Sequence, residues 1–145
     1  MAVDRGFQAE NAKARERLKA LVGRLSDADL ERSVGHGWTV AATLVHLAFW
    51  DLRALTLIDK FEKEGAGPSP ADIDVINDSV RALARAIPPR AAARLAIEAA
   101  ESLDRRIEAL PDRLIEAVAA AGNPFNLARH HHRAEHVAEI ERALA

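Results

Sequence analysis

The sequence predicts an all-α protein, a four-helix bundle with a long crossover between its second and third helices. Three observations carry this. The 145 residues include 31 alanines and 16 leucines, which lead the helix scale, against 17 valines and isoleucines combined, which strands favour. Apolar positions recur at helical spacing over long stretches. Glycine and proline breaks divide those stretches into pieces of bundle length.

The first helix is predicted from about Arg5 to Leu25, with Phe7, Ala14, Leu18, Leu21, Val22 and Leu25 forming one apolar stripe. Ser26-Asp27-Ala28-Asp29 reads as a cap opening a short turn, and Ser33-Val34-Gly35-His36-Gly37 as a glycine-flanked loop. Thr39 is the expected N-cap of a long second helix reaching roughly Glu64, which carries Val40, Leu44, Leu47, Trp50, Leu55 and Ile58. At about 1.5 Å per residue this helix is roughly 40 Å long, the full height of a bundle. Gly65-Ala66-Gly67-Pro68-Ser69-Pro70 is the clearest break, a loop too short to link domains. A shorter connector helix follows from about Ala71 to Ala86. Pro89 or Arg90 opens the next long helix, running to about Leu110 on Leu95, Ala99, Leu103 and Ile107. Pro111-Asp112 restarts the chain as a helical segment ending near Ala121, and Gly122-Asn123-Pro124 breaks it. The last helix is expected from roughly Asn126 to Ala143. Without internal repeats, residues 1–145 are expected to form one domain.

Composition excludes several functions. With 20 Lys+Arg against 22 Asp+Glu, the net charge of −2 provides no global field for a phosphate backbone, so no nucleic-acid partner is expected. The absence of cysteine rules out a disulfide framework, a zinc ribbon, an iron–sulfur site and a thiol nucleophile within the chain. No apolar run is read as approaching the roughly 18 residues of a membrane span. The start, Met-Ala-Val-Asp-Arg-Gly-Phe, lacks the apolar stretch of a secretion signal. No membrane association and a cytoplasmic location are the expectations.

Histidine is the concentrated residue. Four of the six lie within seven positions: His130, His131, His132 and His136. Residues four apart share a helix face and residues one apart do not, so His132 and His136 can point together while three consecutive histidines cannot. Two imidazoles can grip one divalent metal, with at least one more ligand needed for a stable site. His46, amid Leu44-Val45-His46-Leu47-Ala48 on the second helix, is the best third candidate. The plainer alternatives are a hydrogen-bonded core histidine at His46 and a solvated helix start at His130 to His132. His36, between two glycines, reads as surface loop.

Gly37-Trp38-Thr39-Val40 leading into Leu44-Val45-His46-Leu47-Ala48, with His132-Arg133-Ala134-Glu135-His136 near the C-terminus, resembles the DinB superfamily. That group includes the maleylpyruvate isomerase N-terminal-type and YfiT-like proteins, and the resemblance spans nearly the whole chain. It implies a three-histidine metal site made of His46, His132 and His136. His130 and His131 are extra, which leaves open a register in which either takes part instead. The same His132–His136 segment also matches His-x-x-Glu-His, the inverted zinc-protease signature. Only nine residues follow His136, and Glu139 and Glu141 on the same helix cannot swing round to complete that shell.

Three neutral imidazoles leave positions open on a divalent metal, the arrangement of a catalytic site. The resemblance implies metal-dependent enzymes, some using low-molecular-weight thiols such as mycothiol or bacillithiol, others hydrolase-like. The expected cofactors are therefore a divalent metal, zinc or nickel, and a low-molecular-weight thiol, acting on a small-molecule substrate. Helix spacing puts Phe49, Trp50 and Arg53 on the side of His46, and Arg129 on the face of His132. Arg53 and Arg129 are the candidates for binding an anionic group of the thiol or substrate. Asp51 and Glu139 are candidates for orienting ligand imidazoles. A non-catalytic bundle that binds a small molecule, or simply dimerises, is the competing class; related bundles often pair, so a homodimer is expected.

Overall fold

The computed structural model describes residues 3–145; Met1 and Ala2, where the segment read for a secretion signal begins, lie outside the described residues. The elements are α1 (Phe7–Gly23), α2 (Asp27–Glu31), β1 (Ser33–Gly35), β2 (Trp38–Thr39), α3 (Val40–Glu64), α4 (Ile73–Ala84), α5 (Pro89–Glu108), α6 (Asp112–Ala120) and α7 (His130–Leu144). The all-α class holds, with α1, α3, α5 and α7 as the four long helices.

Polar contacts at the helix ends fix their directions. Arg5, before α1, donates to Leu110 O at 2.6 Å, beyond the end of α5, and Arg90 at the start of α5 donates to Leu25 O at 2.8 Å, beyond the end of α1. These two helices are antiparallel. Arg106 near the end of α5 pairs with Asp59 and Glu62 near the end of α3, so α3 and α5 run parallel. A parallel pair cannot be joined by a tight turn, which is why residues 65–88, carrying α4, form the crossover.

Alanine sets the closeness of that central pair. The buried face of α5 is Ala92, Ala93, Ala96, Ala99 and Ala100, with Leu103 and Ile107 at its far end. Leu95, expected in this core, is only half-buried, because the smaller side chains lie on the α3-facing side.

Local signals explain most of the element boundaries. Ser26 and Asp29 form a reciprocal capping box, which makes a short helix, α2, of the segment read as a turn. Thr39 caps α3 as expected, its hydroxyl accepting from Ala42 N at 3.0 Å. The segment read as a glycine-flanked loop is instead part of a hairpin, with Gly35 opposite Trp38. His36 (φ 53°) and Gly37 (φ 81°) have the positive φ that a two-residue type I′ turn requires at both positions. The last helix starts four residues later than expected. Asn126 Oδ1 takes the Ala128 N–H at 2.9 Å, a local turn that competes with the helical bond and holds residues 126–129 out of α7.

The core has two apolar clusters. One takes Leu44 and Leu47 of α3 with Leu18, Leu21, Val137 and Ile140; the other takes Leu57, Ile58 and Phe61 with Leu103, Ile107 and Phe125. A buried polar layer of Asn11, Asp51, Asp104 and Arg133 lies between them. Contrary to the reading of apolar runs, α3 is long and apolar enough to cross a membrane by length and composition, but 67% of that window is buried in the bundle. Its hydrophobicity is that of a central core helix.

Candidate metal centre

Three histidines from two helices converge on one side of the polar layer. His46 is buried on α3, and His132 and His136 are half-buried one turn apart on α7. Their rings form a near-equilateral triangle, with centroids 4.9 Å (His46–His132), 4.7 Å (His46–His136) and 4.8 Å (His132–His136) apart. One ring nitrogen from each lies within 4.8 Å of the other two. His46 Nε2 and His132 Nε2 are 2.9 Å apart. Two nitrogens bound to one zinc at about 2.0–2.1 Å stand roughly 3 Å apart, so this spacing suits a shared ion.

The electrostatics favour neutral rings. Burial pushes the His46 imidazole down to about 4, with His136 adding to the fall. His132 is pushed down to about 3, first by burial, then by His136, His46, Arg129 and Arg133. A neutral imidazole is the form that coordinates a metal. Nδ1 of His46 and Nδ1 of His136 are buried without a hydrogen-bond partner. An unsatisfied buried nitrogen costs roughly 1–3 kcal/mol, so three close imidazoles, two of them with an unpartnered buried Nδ1, form a donor set that a divalent ion fits.

Other expectations sort unevenly. His130 and His131 stay outside the triangle and tilt against one another at 4.0 Å, while Asn11 Oδ1 accepts from His130 N at 3.0 Å. Their alternative register is not the one the fold adopts. Asp51 does not orient an imidazole: its carboxylate accepts from Arg129 Nε at 3.0 Å and from Arg133 at 3.4 Å. Glu139 is near His136, Oε1 lying 3.6 Å from Nδ1, beyond hydrogen-bonding distance. Phe49 packs on the core, whereas Trp50 and Arg53 line the cleft. His36 borders a cavity beside the triangle.

The layer beneath the triangle escaped sequence reasoning. Arg133, 1% exposed, donates to both oxygens of Asp104 at 2.9 Å, and Arg15 reaches the same carboxylate at 2.7 Å. Three guanidiniums (Arg15, Arg129, Arg133) thus meet two carboxylates (Asp51, Asp104). A signal did exist. Arg133 stands four before Val137 and seven before Ile140, and Asp51 four after Leu47, so charged residues interrupt buried stripes.

Two cavities adjoin the histidines, and a third opens off one of them. A chamber of about 490 Å³ is lined by the three histidines with Trp50, Asn77, Arg129 and Glu135. It shares Trp50, Ile73, Asn126 and Arg129 with a second of about 470 Å³, which Arg53 borders. On the other side, His46, Asn77 and His136 adjoin a 250 Å³ chamber walled by the hairpin. Trp38 from β2 meets the His46 ring edge-on at 5.6 Å. Asn77 of α4 accepts from Trp50 Nε1 at 2.9 Å, which ties the crossover helix to the cleft wall.

A helical bundle with open cavities around three converging imidazoles defines a class: a helical protein whose candidate metal centre lies between helices. Residues 12–124 match the family model of the mycothiol maleylpyruvate isomerase N-terminal domain. The chain belongs to that family, within the DinB-like superfamily. The match includes His46 and ends before His132 and His136, so the grouping of the three rests on geometry. No curated protein and no solved structure matches the chain.

Proposed function

We propose that this protein is a metal-dependent enzyme, carrying one divalent ion on His46, His132 and His136 and using a low-molecular-weight thiol to transform a small molecule. The single observation behind the reading is the triangle of three close imidazoles, His46 and His136 each with an unpartnered buried Nδ1, opening onto a cavity. Zinc or nickel suits such a donor set. A divalent ion there supplies a Lewis-acidic centre that lowers the pKa of a bound thiol or water. Because the chain has no cysteine, the thiol is a separate molecule.

The residues then divide the work. His46, His132 and His136 hold the ion and contribute no charge of their own. Trp38 braces the His46 ring from the hairpin side. Arg53 and Arg129 border the adjoining chambers and favour anionic groups of the thiol or substrate. Glu139, near His136, can accept a proton from a ligand in the small chamber. S-transfer or isomerisation fits the family's name better than hydrolysis does. The reading includes a cytoplasmic location, no nucleic-acid or membrane partner, and a homodimer. Leu52, Ile73, Val75 and Leu83 leave large apolar side chains exposed on α3 and α4, and sedimentation at twice 15.8 kDa is the expected result.

Elemental analysis of untagged protein tests the site. About one divalent ion per chain is expected in the wild type, with His46→Ala and His136→Ala each losing it. A metal-free wild type after incubation with zinc or nickel would overturn the reading and leave a non-catalytic binding or dimerising bundle.

A further inference from the structure

An imidazole that binds a metal through one ring nitrogen carries its proton on the other, and that N–H needs an acceptor to hold the ring in place. Helix spacing offers two carboxylates for this task, Asp51 and Glu139, and the structure supplies one. Glu139 lies beside His136, whereas Asp51 is taken by Arg129 and Arg133. His46 is left without its expected acceptor. Its Nε2 is the nitrogen that meets His132 Nε2 at 2.9 Å, so Nδ1 is the one left to carry the proton. That Nδ1 is buried and has no hydrogen-bond partner among the described residues.

The side chain that reaches His46 comes from the crossover. His46, Asn77 and His136 are the three residues that line both chambers flanking the triangle. Asn77 Oδ1 accepts from Trp50 Nε1 at 2.9 Å, and Trp50 stands one helical turn after His46 on α3. An indole N–H only donates, so this bond fixes which end of the amide is turned to α3: the oxygen. An amide oxygen accepts two hydrogen bonds, and the indole uses one. Burial and His136 push the His46 imidazole down, and Asn77 partly reverses the fall, the effect of an acceptor beside a ring N–H. The competing oxygen is Thr43 Oγ1, which lines the small chamber with His46 and gives its own proton to Thr39 O at 3.0 Å.

We infer that Asn77 is the positioning residue for His46, its Oδ1 accepting the Nδ1–H while Nε2 faces the ion. The inference rests on the metal reading above and deepens it by naming the side chain that fixes the buried member of the ligand set. A neutral amide sets the ring's direction and tautomer without adding negative charge, so the ion keeps more of its own charge than it does with a carboxylate partner. One oxygen on α4 then joins two successive turns of α3, at His46 and Trp50, which ties the crossover to the metal centre.

The test uses the full chain and zinc. Competition with a chromogenic chelator reads affinity, and proton–nitrogen NMR on isotope-labelled protein reads the His46 Nδ1–H. Asn77→Ala is expected to weaken zinc binding about 10–100-fold, the usual cost of losing a ligand's hydrogen-bonded support, and to release the Nδ1 proton to rapid exchange. Asn77→Asp keeps an acceptor, so it retains the protected proton and binds zinc at least as tightly as the wild type. Thr43→Val leaves both readouts unchanged. Wild-type affinity in Asn77→Ala, an equal loss in Asn77→Asp, or a proton that stays protected without Asn77 overturns the inference. Loss of the protected proton in Thr43→Val makes the hydroxyl the acceptor and overturns it too. If Asn77→Ala does not fold, Asn77→Leu, similar in volume and without an acceptor, gives the deciding comparison. A wild type that binds no zinc overturns the metal reading itself. The ring proton of the metal-free chain then decides the inference separately: protection in the wild type that is lost in Asn77→Ala supports it, and equal exchange in both overturns it.

Discussion

Arg133 clasps both carboxylate oxygens of Asp104 at 2.9 Å inside the bundle, while its chain neighbour His132 faces the cleft. Adjacent residues on a helix point about 100° apart, so locking one side chain inward sets the rotation at which the other is presented. His136, one turn further along α7, takes its direction from the same lock. The buried ion pairs therefore position the candidate metal centre as well as joining helices.

Removing Arg133 takes from both buried carboxylates the most deeply buried of their partners, leaving Asp104 to Arg15 and Asp51 to Arg129. Arg133→Met is expected to destabilise the fold by about 3–5 kcal/mol, the usual cost of breaking a buried pair from one side. Urea unfolding measures this. Zinc affinity of the folded variant should fall as well, because α7 loses its rotational register. A variant with wild-type stability would show that Arg15 and Arg129 suffice to compensate Asp104 and Asp51.

Acid should destabilise the metal-free protein over a defined range. In the unfolded chain a histidine takes up its proton near pH 6.5, whereas His46 and His132 in the fold resist until about 4 and about 3. Between those limits the unfolded state binds more protons, so stability rises with pH and falls as pH drops. Two such groups give a slope of at most roughly 2.7 kcal/mol per pH unit, absent above about pH 7. Melting curves of apo protein from pH 8 to 4 test the sign, and His46→Gln with His132→Gln should flatten the profile.

Metal removal should lower the melting temperature without unfolding the chain. An ion present at a hundred times its dissociation constant adds about 2.7 kcal/mol by mass action, and chelation removes that amount. The two apolar clusters persist without it. Far-ultraviolet circular dichroism at room temperature should be nearly unchanged on adding a chelator. A random-coil spectrum would make the site structural.

The hairpin's contribution is local and separable. Thr39→Ala removes the oxygen that accepts the Ala42 N–H and should cost about 1 kcal/mol, with little effect on zinc binding. Trp38→Ala removes the edge contact on His46, so its main expected effect is weaker zinc affinity, read by competition with a chromogenic chelator. Equal losses in both variants would mean that the hairpin acts only through the start of α3.

Much of this protein was determined by sequence periodicity alone. The long helices, the crossover after Gly65 and the cap at Thr39 are written in residues close together in the chain, because helices and turns are closed by bonds between near neighbours. His132 and His136 could be paired for the same reason, being one turn apart. The tertiary structure decided what required distant segments to meet. It chose His132 over His130 and His131 by rotating α7 about the Arg133–Asp104 clasp, across 29 residues of sequence separation. It gave the Asp51 carboxylate to two arginines, although helix spacing alone put it within reach of the histidines. It also left Arg53 with neutral acceptors only. The physical reason is common to all three. A buried charge is satisfied by whichever partner the packing brings within about 3 Å, and one-dimensional spacing does not contain that distance.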